Sequence, residues 1–275
     1  MLGIIRLYSP KAKEQVREIL TKYLEKYNPE ELVDPLLTCV DELVKNGIKA
    51  NYKYVLIREA LEQKIKEGVI EGKIEEILKD RRKFSDLTEK YVPLEEITAY
   101  VRTALTQEAK VISLKMKVQK EGRKYTKEEY DTIRSFKELL EVRKKVRRYG
   151  VRVQLRVQEI WGALNMEVTN NAPILERDLE RIHAKRKEFK EFADRGEETM
   201  FFIQHMDDSD GGAGLGYATI DASLRELGID PFKAISIISV NNTTVIVHIK
   251  VSQLSKQDGL NQENQQEKPD PDPDK

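Results

Sequence analysis

The sequence predicts an α+β protein, and three observations carry that prediction. In the first 67 residues Leu32, Leu36, Leu37, Val40, Leu43 and Val44 recur at helical intervals. Residues 68–149 keep a helical character but become highly charged, with Leu, Ile and Tyr widely spaced. After Gly150 the pattern turns β-like: VRVQLRVQ alternates strictly, and two pairs of short apolar runs face each other across turn residues.

Taken in order, Gly3 to Tyr8 reads as a short strand, and Ser9-Pro10 is the cap-plus-proline pattern that opens a helix reaching about Tyr27. Asn28-Pro29 breaks it, and a longer helix spans Glu30 to about Glu67. The charged stretch 68–149 reads as a helical insertion interrupted at Pro93 and Gly122, with a short strand over Ile112, Leu114, Met116 and Val118 as an open alternative. Residues 150–252 resume with a hairpin turning near Trp161-Gly162, followed by a charged helix from Leu175 to Ala193. MFFIQHM reads as a short strand or lid segment, DDSDGG as a flexible acidic turn, and Gly214 to Leu227 as a helix stopped by Gly228-Ile229-Asp230-Pro231. A second hairpin turns over Asn241-Asn242. From Gln253 onward the polar sequence, ending KPDPDPDK, reads as a disordered tail over 253–275.

Composition narrows the function. Forty-eight basic side chains balance 48 acidic ones, so no global field announces a nucleic acid or a membrane surface. The single cysteine, Cys39, leaves no internal disulfide, which points to a reducing compartment. No apolar run approaches the roughly 20 residues that cross a bilayer, and the start is too weakly apolar for a secretory signal. A cytoplasmic protein is therefore expected. With His183, His205 and His248 scattered along the chain, zinc has few plausible ligands.

Three segments carry candidate chemistry. In DELVKNGIKANY, residues 41–52, Glu42 and Asn46 stand four apart and share one helix face. An Asn carbonyl there suits a hard cation such as Mg²⁺, a Glu can orient or deprotonate a nucleophile, and Lys49 one turn on could reach a phosphate. The same spacing also occurs on ordinary solvated helix faces. In DDSDGGAGLGYATIDASL, residues 207–224, Gly211, Gly212, Gly214 and Gly216 precede a helix, so backbone N–H groups can approach a polyphosphate at its positive end. A flexible turn is the plainer reading, and no Gly-Lys-Ser/Thr follows as a Walker loop would require. Finally, Asn170 ends the first hairpin, where an amide can read a base edge or simply favour a turn.

The order of these segments resembles the superfamily of gyrase, chaperone, histidine-kinase and mismatch-repair ATPases. ELVKN resembles that family's N box and GGAGLG its second glycine box, with Leu215-Gly216 matching the Leu-Gly pair. The resemblance covers about residues 10–67 and 150–251. It implies a two-layer α/β sandwich of the Bergerat ATP-binding type, bound ATP and Mg²⁺, Glu42 as the catalytic acid/base position, and Asn46 as the metal ligand. Lys49, Asn170, Gly211, Gly212, Gly214, Leu215 and Gly216 fall at its nucleotide-contacting positions. It is closest in character to histidine kinases and anti-sigma-factor serine kinases, so it implies a signalling protein with a protein partner, compatible with a homodimer.

Departures from the family pattern shape the expectation. Where the first glycine box has Asp-x-Gly-x-Gly, this chain has Asn170-Asn171-Ala172-Pro173-Ile174, lacking both glycines and the charge of the acid. That keeps open a regulatory module that lost catalysis. No histidine precedes His183, so phosphotransfer would go to a hydroxyl on a separate partner rather than to an upstream histidine. The stretch Lys115 to Arg152 holds 14 basic against 6 acidic residues. A solvated helix face explains it more simply than a nucleic-acid contact.

Overall fold

A computed structural model describes residues 2–5, 10–25, 27, 29–205 and 215–254. The chain is α+β, mixing helices with one antiparallel sheet. It opens with β1 (Leu2–Ile5), α1 (Pro10–Leu24) and α2 (Pro29–Lys66). Pro10 opens its helix, as its fixed φ and missing N–H favour. The α2 leucines are buried as their spacing requires: Leu32, Leu36, Leu37, Leu43 and Val44 are all at most 2% exposed. Each such side chain stabilises the fold by roughly 1.5–3 kcal/mol relative to exposure. Pro35 lies inside α2 and deletes one backbone hydrogen bond without ending the helix.

The charged stretch is helical throughout its ordered elements: α3 (Ile74–Lys79), α4 (Arg81–Tyr91), α5 (Leu94–Lys120), α6 (Lys127–Ser135) and α7 (Lys137–Arg148). Local capping explains several of the boundaries. Asp80 accepts from the backbone N–H of Arg82 and Lys83 at 3.0 and 3.1 Å, and Thr126 forms a reciprocal capping box with Glu129. The strand alternative at 112–118 is overturned, because α5 runs straight through it. Ile97, Val101, Ala104 and Glu108 set a helical burial period upstream, and the alternation that follows only coincides with strand spacing. These helices do not form a core of their own. Ile77, Phe84, Ile97, Val101 and Val142 join one apolar cluster that also contains Leu36, Leu155 and Val247.

The strands β2 (Val153–Ile160), β3 (Ala163–Asn170), β4 (Ile235–Ser239) and β5 (Thr243–Lys250) join β1 in the order β1-β2-β3-β5-β4, every neighbour antiparallel. Trp161 and Gly162 turn the first hairpin with φ of 49° and 72°, the two left-handed residues that suit the twist of the flanking strands. That conformation leaves Trp161 fully exposed. On the covered face Leu155, Val168, Val247 and Ile249 are buried, while the opposite face carries polar pairs such as Thr169–Thr244 at 2.8 Å and Asn165–His248 at 2.8 Å.

The remaining elements are α8 (Glu176–Ala193), α9 (Glu198–His205), α10 (Leu215–Glu226), α11 (Pro231–Ala234) and α12 (Val251–Leu254). MFFIQHM is therefore not a strand: its part up to His205 forms α9, because Phe201 buries against Phe189, Ala193 and Ala218 and stacks edge-on His205 four residues later. The acidic turn and Gly211, Gly212 and Gly214 lie outside the described residues. The expected tail boundary also shifts, since Gln253 belongs to α12, and residues from 255 onward lie outside the description.

Candidate functional site

The site is assembled on α2. Gly47 lets this helix lie flush on the sheet: a Cβ there would stand 3.1 Å from Val153 Cγ2 and 3.6 Å from Asn170 Cβ. With that face held down, Glu42, Asn46 and Lys49 point toward the gap between α2, α5, α8 and the start of α10. Residues from the distant glycine-rich segment close the arrangement. A Cβ on Gly216 would lie 3.0 Å from both Asn46 Nδ2 and Glu42 Oε2, so the first turn of α10 sits directly on the pair and a side chain there would press on both.

The helix α10 is held there by a buried ion pair. Arg186 of α8 donates through Nε to Asp221 Oδ2 at 2.9 Å and through a terminal nitrogen to the Pro231 carbonyl at 2.9 Å. Neither side chain is more than 5% exposed. Removing one partner would strand a buried charge, which makes this pair a fixed point for the placement of α10.

Two adjoining cavities flank Asn46. The inner one, about 180 Å³, runs from Asn46 and Gly216 to Asn170, between the sheet and α8. Its wall carries four cations, Lys49, Lys53, Arg177 and Arg181, against one acid, Asp178. Asp178 pairs with Lys53 at 2.7 Å and with Arg181 at 3.4 Å. Burial, then the charges of Arg181 and Lys53, hold the Lys49 ammonium below its ordinary pKa, with Asp178 opposing and Arg102 adding to the effect. Positive charge crowded to that degree favours an anionic ligand.

At the sheet end of this cavity Asn170 is only 5% exposed. Its Nδ2 donates to the Ala172 carbonyl at 3.2 Å, and Thr243 Oγ1 donates to the same oxygen at 2.7 Å. That arrangement leaves Asn170 Oδ1 as the acceptor for a ligand. The segment lacking the two glycines is held by hydrogen bonds: Asn171 Oδ1 accepts from the Arg152 N–H at 2.8 Å, and the Ile174 N–H donates to Ser239 Oγ at 3.1 Å.

The outer cavity, about 610 Å³, lies between α2, α5 and the start of α10. Asn46, Lys49, Thr98 and Gly216 line both cavities, whereas Glu42 lines only the outer one. Glu42 accepts from Lys45 Nζ at 2.9 Å, and Lys45 also pairs with Asp41 at 2.8 Å. Burial works against the charge of Lys45, but these two hydrogen bonds outweigh it and raise its pKa. Leu215 also lines this cavity.

Of the residues expected from sequence, Glu42, Asn46, Lys49, Asn170, Leu215 and Gly216 surround these two cavities; Gly211, Gly212 and Gly214 lie outside the described residues. Sequence reasoning missed Gly47, Lys53, Thr98, Arg102, Arg177 and Arg181. Lys53 was within reach of it, standing one turn beyond Lys49 on the same face. Nothing local marks Thr98 or Arg102, which join the site only through the packing of α5 on α2.

Elsewhere, the basic stretch presents most of its cations to solvent, as a solvated helix face does, and the half-buried ones sit in ion pairs. Arg123 pairs with Glu129 at 2.7 Å, Arg143 with Glu108 at 2.8 Å, and Lys145 with Glu59. Among the described residues no cluster of three or more His, Cys, Asp or Glu side chains could hold a metal, and no helix is long and apolar enough to cross a membrane. Comparison with family models, with curated proteins and with solved structures gives no match, so the functional reading rests on the geometry of the site itself.

Proposed function

We propose that the chain binds ATP with Mg²⁺ in the inner cavity, as a signalling protein of the histidine-kinase-like ATPase type on a Bergerat-like fold, and passes phosphate to a separate protein partner. One observation carries the reading. Asn46 and Gly216, 170 residues apart in sequence, come so close that a Cβ on Gly216 would stand 3.0 Å from Asn46 Nδ2, on the rim of a cavity lined by four cations, with an amide acceptor at its far end. The residues suit such a ligand: Asn170 Oδ1 would accept from an exocyclic amino group, Lys49 and Lys53 would offset phosphate charge, and Asn46 would hold Mg²⁺ through its carbonyl oxygen. ATP supplies the phosphoryl group, and Mg²⁺ offsets the charge on its oxygens. Glu42, on the outer side of Asn46, takes the proton of the attacking group.

Calorimetric titration with ATP and Mg²⁺ tests the proposal. Saturable binding that weakens about tenfold in Asn46→Ala, equivalent to about 1.4 kcal/mol, is the expected outcome. Identical titrations for the two proteins would remove Asn46 from the site. A second reading, a regulatory module of the same fold without turnover, is favoured by the Glu42–Lys45 ion pair, which occupies the candidate base. ATP binding without phosphate release in any partner's presence would select it.

A further inference from the structure

We infer that a third cavity, where α7 ends and the chain turns into β2, is an anion site that takes the phosphate group of a small phosphomonoester. It shares no lining residue with the inner or the outer cavity, and its ligand is independent of the nucleotide reading.

The end of α7 creates it. Gly150 adopts a φ of 64°, the left-handed conformation that closes a helix. Its N–H donates to the Arg147 carbonyl at 3.2 Å, and the Val151 N–H donates to the Val146 carbonyl at 3.2 Å. This paired cap occupies two of the carbonyls that give a helix end its negative character. It also turns the chain back, so that Arg152 joins Arg143 and Arg147 around one cavity of about 460 Å³. That volume lies within the range of small-ligand clefts, about 300–1,000 Å³. Val146 and Val151, the pair such a cap brings together, supply apolar lining, and buried Tyr52 of α2 completes the wall.

Three guanidinium groups line this cavity and no carboxylate does. One of their charges is compensated from behind. Arg143 donates to Glu108 Oε1 at 2.8 Å, and Tyr52 Oη donates to the same oxygen at 2.8 Å, so a buried carboxylate fixes Arg143 in place. With the Gln154 amide oriented to satisfy both groups, its oxygen accepts from Arg152 at 3.1 and 3.2 Å, which aims that guanidinium and leaves its charge intact. Among the described residues no carboxylate pairs with Arg147 or Arg152. Arg147 also stands one turn from Arg143, an arrangement of like charges that destabilises a helix and that an anion between them would relieve.

The chemistry selects the anion. Guanidinium forks donate in pairs to phosphate oxygens. Two uncompensated charges match a phosphomonoester, which carries about −1.5 to −2 at neutral pH. A phosphodiester carries a single charge, so a nucleic-acid backbone is the poorer match, and the valines leave an apolar wall for the organic group of an ester.

Spectra of the arginine Nε–H groups in the nitrogen-15-labelled full chain, recorded during titration with glycerol 3-phosphate, test the inference. The Arg143, Arg147 and Arg152 signals should move together along one saturable curve. Arg147→Gln and Arg152→Gln, both at exposed positions, should each weaken that curve at least about tenfold through loss of a charge-assisted donor. Lys53→Ala, altered in the inner cavity, should leave it as it is. Shifts that grow without saturating, wild-type affinity in both glutamine variants, or movement confined to Arg177 and Arg181 would each overturn the site. Binding of inorganic phosphate with the ester excluded would mark an adventitious ion only and overturn it as well. Random duplex DNA moving the three signals at lower concentration than the ester would replace the phosphomonoester with a nucleic acid.

Discussion

The helices α2 and α5 face each other across the outer cavity, yet they bring their site residues there by different routes. On α2 the functional spacing is local: Glu42, Asn46 and Lys49 follow one another by four and three residues, and the buried leucines of the same helix fix which way they point. On α5 the residues that reach the site, Thr98 and Arg102, belong to a charged helix whose direction is decided only by packing against α2 and α7. A local motif survives being read as a string of letters, whereas a tertiary one exists only once two elements touch.

The strongest way to break that contrast is to loosen the helix that completes the α2 side. Arg186→Met removes one partner of the buried pair with Asp221, and the stranded carboxylate should cost about 3–5 kcal/mol in urea unfolding. Asp221→Asn with Arg186 intact should also be destabilising. A loss under 1 kcal/mol in both would mean that the pair does not hold α10 in place.

Next in size is Gly216→Ala. The added methyl would lie 3.0 Å from both Asn46 Nδ2 and Glu42 Oε2, so these side-chain ends must shift off it, at a cost of about 1–3 kcal/mol for an overpacked contact. ATP affinity should fall in step with stability. Wild-type behaviour on both counts would show that the contact can relax freely.

Two smaller effects sharpen the comparison. Lys53→Ala should weaken nucleotide binding several-fold through lost phosphate attraction, with a steeper loss at low salt than at 0.15 M, as expected for a partly screened charge. Salt-independent weakening would instead implicate its ion pair with Asp178. On the α5 side, Thr126→Ala removes the capping box of α6 and should cost about 1 kcal/mol in thermal unfolding while leaving ATP binding untouched. An altered ATP affinity would extend the site's support further into the charged helices than its geometry indicates.

The elements legible in the sequence were those with a strong local period or an unambiguous breaker. The Pro10 helix start, the α2 leucines, the Trp161-Gly162 hairpin and the Gly228 stop all lie where local chemistry puts them. The misreadings occurred where tertiary packing decides. Phe201 draws the MFFIQHM segment into a helix through an apolar cluster whose other members come from α8 and α10, and α5 imposes its period on an alternating segment. The site divides similarly. Glu42, Asn46 and Gly216 were marked by spacing, while the contribution of Arg177 and Arg181 depends on how α8 crosses the mouth of the inner cavity.

The hairpin turn at Trp161 has an optical consequence. It is the chain's single tryptophan, and its indole is wholly in water in the folded protein. Its emission should therefore be red-shifted before unfolding begins and change little as the chain denatures, leaving circular dichroism or tyrosine signals to follow the transition. Iodide should quench it as efficiently in buffer as in urea, and because both cavities lie away from the turn, ATP should leave that emission unchanged.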